Sequence, residues 1–432
     1  MLSVFKKLQS TPAFLNLKYR KTSFKFINNG EHDRSARCVP PSKTKKESVS
    51  LARQLQAKIK AMGPITVAEY MKEVLTNPVS GYYMHRDVIG ETGDFITSPE
   101  LGQLFGEMVA VWCFNEWQKM GSPIPLQLVE MGPGRGSLAE DVLRVFERFG
   151  AGNEVSLHLV EVSPRLSQIQ AQKLCVKTVR PSKSSHTYYQ LGTTATNIPV
   201  FWYNSIQDVP RQFSCYLAHE FFDALPIHKF QRTEAGWREV LIDIDPAAGS
   251  EKFRYVLSRT STPASKTLIK ADEKRDHVEV CAESGVILEH LATRLEEDGG
   301  FALFADYGHD GSKTDTFRGF RNHELHDALV DPGSADLTAD VDFSYIRACT
   351  EDKLLTFGPV TQRHFLKQMG IDMRLQILLQ NCGEKQKENL LLGYHMMVDE
   401  DKMGERFKLF SLFPSVLKDH LERFPVSGFA DS

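Results

Sequence analysis

Residues 127 to 136 read Gln-Leu-Val-Glu-Met-Gly-Pro-Gly-Arg-Gly, a short apolar run that delivers one acid, Glu130, into three alternating glycines, Gly132, Gly134 and Gly136. Glycine lacks a Cβ and tolerates positive φ, so alternate glycines let a backbone turn tightly and come into contact with a flat or extended ligand. The next residues carry helix signals. Ser137 and Glu140 stand at capping-box spacing, apolar residues recur at Leu138, Val142, Phe146 and Phe149, and Gly150 supplies the stop. Strand, glycine turn and helix together are the first half of a nucleotide-binding βα unit.

The spacing narrows the ligand. A dinucleotide fingerprint is G-x-G-x-x-G with the pyrophosphate on the helix N-terminus, whereas here the third glycine comes one residue early and position 137 is Ser. Glu130, two residues ahead of Gly132, would repel a pyrophosphate but attract an amino group or a sulfonium. S-adenosyl-L-methionine combines adenosine, a positively charged sulfur and an amino acid, and it is the cofactor that fits. A second acid stands where the ribose belongs. Val155 to Val160 alternates into a strand ending at Glu161, placed to accept hydrogen bonds from the two ribose hydroxyls.

Composition and charge set further bounds. A chain of 432 residues with 41% hydrophobic content can build an ample core, as one decorated domain or two. No run approaches the roughly 18 uninterrupted apolar residues of a membrane span, so none is expected. Charge is distributed unevenly: residues 1–46 hold eleven basic residues against Glu31 and Asp33, net +9, and with −3 for the whole chain residues 47–432 carry −12. The basic, amphipathic opening has Leu2, Phe5 and Leu8 on one side and Lys6 and Lys7 on the other. It reads as a mitochondrial transit peptide, with its linker extending to residue 46, or else as a disordered basic arm. Basic charge confined to such a segment does not make a nucleic-acid surface, and no nucleic-acid partner is expected. The seven cysteines are an odd number without a C-x-x-C, which suggests neither a disulfide framework nor a zinc site.

Along the chain, residues 47–126 read as a helical N-terminal region. Thr66 and Glu69 make a capping box for a helix that ends at Asn77-Pro78, a loop runs from Gly81 to Ser98, and Ser98 with Pro99 opens a long helix that stops near Gly121. Trp112 and Trp117 in that helix read as core. From 127 to 415 the pattern alternates between strands 127–130, 155–161, 214–218 and 301–306 and helices 137–149, 164–175 and 282–297. This predicts an α/β protein with a parallel, doubly wound sheet and its ligand at the carboxyl ends of the strands. The fold class expected is the class I, Rossmann-like, S-adenosyl-L-methionine-dependent methyltransferase fold. Residues 227–258 alternate as antiparallel strands within an insertion near 227–280. Leu354 to Thr361, a helix over 366–379 and Phe407 to Phe413 complete the sheet, residues 177–198 and 308–340 read as loops, and 416–432 as a C-terminal tail.

Six blocks of this sequence resemble the MidA-like methyltransferases, and within them the mitochondrial arginine methyltransferases that serve complex I assembly. They are Gly63-Pro-Ile-Thr-Val-Ala-Glu-Tyr-Met, Gly81-Tyr-Tyr, Gly93-Asp-Phe-Ile-Thr-Ser-Pro-Glu, the Val129-Glu-Met-Gly-Pro-Gly-Arg-Gly turn, His219-Glu-Phe-Phe-Asp-Ala-Leu-Pro and Asp306-Tyr-Gly-His. Their order and spacing cover nearly everything from residue 50 to about 415. The resemblance implies S-adenosyl-L-methionine as cofactor, a segment containing Asp94 and Thr97 that closes over it, and a complex I subunit as protein substrate. It also implies symmetric dimethylation of arginine in the mitochondrial matrix. It says nothing of oligomeric state.

Arginine is a difficult nucleophile, because its guanidinium stays protonated and its lone pairs are delocalised. An arginine methyltransferase therefore needs carboxylates that grip the fork, localise charge and accept a proton as the product forms. Glu220 and Asp223, directly after strand 214–218 and in a Phe-Phe setting, are the candidates. Read structurally, the same residues are a helix cap and a surface acid. The well-known protein arginine methyltransferases carry two glutamates more widely separated, so the Glu-x-x-Asp here leaves open which acid aligns the guanidinium. Asp306 and Asp94 are further candidates. His219, His228 and His309 fall near the presumed cleft and His323-x-x-His326 has a spacing a metal could use, but no cysteine or carboxylate set completes a tetrahedral site. Two other functions share these motifs: a methyltransferase of a different acceptor, and an assembly chaperone in which the cofactor is structural.

Overall fold

The computed structural model describes residues 50–85, 97–181, 186–246 and 252–430, so the transit-peptide reading of 1–46 falls outside the described residues. A large sheet runs in the order Leu354–Thr361, Phe407–Pro414, Gly300–His309, Ser214–His219, Leu126–Met131, Val155–Val160, Pro199–Tyr203, Gln190–Thr193, Lys177–Val179. The five strands from Gly300–His309 to Pro199–Tyr203 pair in parallel, and the strands at both edges pair antiparallel. Leu126–Met131 and Ser214–His219 are buried at every position, as strands covered on both faces must be. The two-residue period sorts their side chains. Leu128, Cys215, Leu217 and Leu303 join Trp112 and Phe146 of the helices Gln103–Lys119 and Ser137–Arg148 on one face, whereas Val129, Tyr216, Ala218 and Phe304 meet Leu288, Leu291 and Ile346 on the other.

The insertion, joined by Ile65–Thr66 of the N-terminal region, forms a second, antiparallel sheet in the order Ile65–Thr66, Gly236–Ile244, His228–Thr233 and His277–Val280, with Phe253–Leu257 beside Gly236–Ile244. The helices Leu51–Met62 and Val67–Thr76 pack on it, and Leu55, Tyr70 and Val74 share an apolar cluster with Ile242, Phe253 and Leu337. Segment 47–126 is therefore split between two cores, its last helix belonging to the large sheet. Residues 416–432, set down above as a tail, carry the helix Lys418–Arg423 with Leu421 buried, and Trp112 Nε1 donates to Ser427 O at 2.9 Å.

Several local expectations are corrected. Ser137 is the first residue of its helix and not the cap: Gly136, left-handed at φ 79°, takes the cap position without a side-chain bond, because the glycine turn runs straight into the helix. Ser98 and Pro99 open only the 3-10 turn Ser98–Leu101, and Gly102 at φ 136° separates it from Gln103–Lys119. Thr66 does accept from the Glu69 amide at 3.0 Å. Residues 177–198 contain the strands Lys177–Val179 and Gln190–Thr193. Residues 308–340 contain a three-stranded sheet of Arg318–Arg321, Glu324–His326 and Asp336–Thr338. These pieces have no more than four residues each, and Lys177–Val179 is exposed throughout, so they show no usable apolar alternation. The helix expected over 366–379 is two, Gln362–Gln368 and Ile371–Gln380, parted where Gly370 takes φ 84°.

Candidate active site

A cavity of about 1130 Å³ opens at the carboxyl ends of the parallel strands, where ligands bind in sheets of this type. One wall is the glycine turn. Gly132, Gly134 and Gly136 take φ of 64°, 52° and 79°, a region side-chain-bearing residues avoid, and a Cβ on Gly132 would come within 2.8 Å of the Phe221 ring. The Gly132 amide donates to Val160 O at 3.1 Å and pins the turn to the neighbouring strand. Glu130 is buried. Its carboxylate accepts from the Ala139 amide, yet Oε2 has no hydrogen-bond partner. Burial pushes this carboxyl up to about 8, opposed by the charge of Lys173 and the Ala139 amide and reinforced by Glu161. Glu161 accepts from the Ser163 amide at 2.6 Å and from Gln170 Nε2 at 2.9 Å. Burial pushes it to about 7 against those bonds. A buried carboxylate oxygen without a donor is costly unless a ligand meets it, so Glu130 beside a bare glycine turn fits the cationic, nucleoside-bearing cofactor inferred from the sequence.

Glu220 and Asp223 form another part of the wall. Glu220 sits at φ 49°, a sparsely populated conformation for a residue with a Cβ, of the kind that collects at functional sites. Asp306 holds the turn in place. Its Oδ2 accepts from the amides of Phe221, Phe222 and Asp223 at 3.2, 3.0 and 3.4 Å and its Oδ1 from the Tyr307 amide at 3.0 Å. Considered above as a catalytic acid, Asp306 does not line the cavity, because both its oxygens are committed to backbone amides. Asp223 Oδ2 accepts from the Tyr307 hydroxyl and from Thr338 Oγ1, the latter at 2.9 Å. Its Oδ1 has no hydrogen-bond partner, and neither has Glu220 Oε1, which stands 3.5 Å from His219 Nε2. Burial first, then the charges of Asp223 and Asp336, hold the Glu220 carboxyl well above the usual carboxylate range, against a hydrogen bond from the Ser98 amide. Burial also raises Asp223, while Tyr307 and Thr338 pull the other way. Asp336 lines the same cavity and accepts from Tyr83 OH at 2.7 Å.

Thr97 lines the cavity as well, whereas Asp94 lies outside the described residues. His219 lines it beside the rings of Phe105 and Phe407, and burial drives its imidazole down to about 3. His228 does not: it pairs with Glu239 at 2.7 Å on the inserted sheet. His309 receives the Ser312 amide at 3.2 Å and also lies off the cavity. Among the described residues no group of His, Cys, Asp and Glu could hold a metal ion. Tyr83, Ser98, Tyr307, Thr338 and Asp336 were not read from the sequence as part of the site. Tyr83, Ser98 and Tyr307 had a signal, since each lies inside a matched block, whereas Thr338 and Asp336 had none. Two buried carboxylate oxygens without donors, among apolar walls that include Phe221 and Phe407, suit a cation with several N–H groups.

Residues 108–360 match a family model described as S-adenosyl-L-methionine-dependent methyltransferase. A Danio rerio protein named "Protein arginine methyltransferase NDUFAF7, mitochondrial" is 56% identical over 391 residues, covering 88% of this chain and 92% of that one. The Homo sapiens protein of the same name is 54% identical over 369 residues, covering 84% and 83%. A Burkholderia thailandensis protein crystallised with S-adenosyl-homocysteine shares the fold, with TM-score 0.68 at 22% identity over 88% of this chain and 93% of that one.

Proposed function

The chain belongs to the S-adenosyl-L-methionine-dependent methyltransferases, and from that premise we propose that it methylates arginine on a subunit of respiratory complex I in the mitochondrial matrix, as a step in complex I assembly. The observation that carries the acceptor reading is the pair of buried oxygens without donors, Glu220 Oε1 and Asp223 Oδ1, in one cavity. The names of the relatives, protein arginine methyltransferases of mitochondria, point the same way. Complex I as target and symmetric dimethylarginine as product rest on the motif resemblance alone.

When bound, the cofactor supplies an electrophilic methyl group on a positively charged sulfur. Glu130 would hold its cationic amino-acid end, Glu161 its ribose, and the glycine turn lets the backbone approach. Glu220 and Asp223 take the guanidinium N–H donors, and Tyr307 and Thr338 keep Asp223 in position. A cation entering this pocket draws both acids to their charged forms. The product then loses a proton to a carboxylate whose affinity for protons burial has raised, the direction that a general base requires. Phe221 and Phe407 narrow the access of water, and alignment of nucleophile and methyl carbon supplies much of the rate.

Mass spectrometry of complex I subunits from cells with and without the protein tests this reading. Loss of a defined methylarginine, restored by the wild-type chain and not by Asp223→Asn, is expected. An unchanged methylation map would leave the protein with another acceptor or with none.

A further inference from the structure

We propose that Gln170 is a positioning residue that locks the ribose acid and the glycine turn into one fixed arrangement for cofactor binding. It lies on the helix Pro164–Leu174, which is fixed at its start by Ser163 Oγ accepting from the Leu166 amide at 3.2 Å, and it is fully buried. Three bonds define its side chain. Trp202 Nε1 donates to Gln170 Oε1 at 2.9 Å, and Gln170 Nε2 donates to Gly134 O at 2.7 Å and to Glu161 Oε2 at 2.9 Å.

Chemistry leaves the amide one orientation. An indole nitrogen only donates, so the oxygen must face Trp202, and the carbonyl and the carboxylate only accept, so the amino group must face them. Turned over, the same side chain would set a donor against a donor and an acceptor against two acceptors in a buried site. Both amide hydrogens thus have an acceptor, one on the turn and one on the acid. Gly136 fits close to the same side chain, since a Cβ there would lie 3.4 Å from Gln170 Cγ. The resulting chain of bonds runs from a central strand neighbour, Trp202, through one amide into both halves of the cofactor site. Removing it leaves Gly134 O and Glu161 Oε2 short of a buried donor and frees Glu161 to move, so both halves lose their preset geometry.

This inference rests on Glu161 being the acid that meets the ribose. Calorimetric titration of the full chain with S-adenosyl-homocysteine tests it, using Glu161→Ala, Gln170→Leu and the double variant, with thermal melting to confirm folding. Each single variant is expected to weaken binding about tenfold, and the double variant by about twentyfold at most, well short of the product, because residues acting through one another do not add. Gln170→Glu keeps the shape and the acceptor for Trp202 but sets a second carboxyl against Glu161. Its affinity should fall at pH 8 and recover towards pH 6, opposite to the wild type. Losses that multiply, or a Gln170→Leu affinity equal to wild type while Glu161→Ala is weakened, overturn the proposal. Wild-type affinity in Glu161→Ala overturns the ribose reading and the link with it.

Discussion

The end of the cavity proposed for the cofactor is made from neighbouring stretches of chain, with Glu130, the glycine turn and Glu161 lying on or just after the adjacent strands Leu126–Met131 and Val155–Val160. The end proposed for the acceptor draws on distant ones: Tyr83, Ser98, the Glu220 to Asp223 turn, Asp306 and Tyr307, and Asp336 and Thr338. They differ electrically as well. At the cofactor end each acid has its own donors, and burial is what raises its pKa most, to about 8 for Glu130 and about 7 for Glu161. At the acceptor end repulsion by neighbouring acids comes second only to burial for Glu220 and Asp306, whereas Glu161 is the weakest of the influences on Glu130. A preset local turn suits a ligand that is always the same, whereas an acidic pocket assembled from many segments answers to the charge of the acceptor.

That contrast can be broken most sharply at the turn. Gly134→Val places a β-branched side chain at φ 52°, at a stability cost of about 1–3 kcal/mol, and should abolish S-adenosyl-homocysteine binding in a protein that still folds. Calorimetry with near-normal affinity would remove the glycine turn from the cofactor site.

A smaller effect is expected at the other end. Tyr307→Phe deletes a hydroxyl that donates to Asp223 and lowers its pKa. Turnover near neutral pH should fall by about tenfold, the cost of one hydrogen bond to a charged group. Because the Asp223 pKa rises further, the pH profile of kcat/KM for the acceptor should move to higher pH and part of the loss should return there. A uniform drop without a shift would mean that the hydroxyl only fills space.

A graded effect, read over pH and not from a variant, belongs to the cofactor acids. The ammonium group of the ligand favours ionised Glu130, whose carboxyl burial pushes up to about 8. Binding at pH 6 or 7 therefore releases a proton, and affinity for S-adenosyl-homocysteine should rise with pH up to about 8, by at most about tenfold per pH unit for one proton. Titration in buffers of different ionisation enthalpy counts the proton. Affinity that falls over this range would contradict the charge assigned to Glu130.

How far each end could be read from sequence follows from the same contrast. Residues 127–149 announce themselves, because the apolar run, the alternate glycines and the helical period of Leu138, Val142 and Phe146 are adjacent. Trp112 is legible as core for a similar reason, inside a long apolar helix. Asp336 was not legible. Its three-residue strand lies in a Ser-, Gly- and Asp-rich stretch, and its partner Tyr83 is far away in the chain. Asp306 was placed at its strand end and kept as a further candidate, since sequence does not reveal that its oxygens turn to the amides of a neighbouring loop. Ser137 was misplaced by one residue because Gly136 caps the helix by its backbone conformation.

The most direct test of the acceptor pocket is turnover of Asp223→Asn and Glu220→Gln on the protein substrate with cofactor saturating, measured beside their affinity for S-adenosyl-homocysteine. Each amide keeps the shape of its acid and removes the charge. Methyl transfer should fall by about 10²-fold or more, the scale on which a positioned charged group acts, while cofactor affinity stays within about twofold of wild type, as expected for a site the residues do not touch. Wild-type turnover in both variants, or a loss of cofactor affinity in step with the loss of turnover, would contradict the assignment of Glu220 and Asp223 to the arginine.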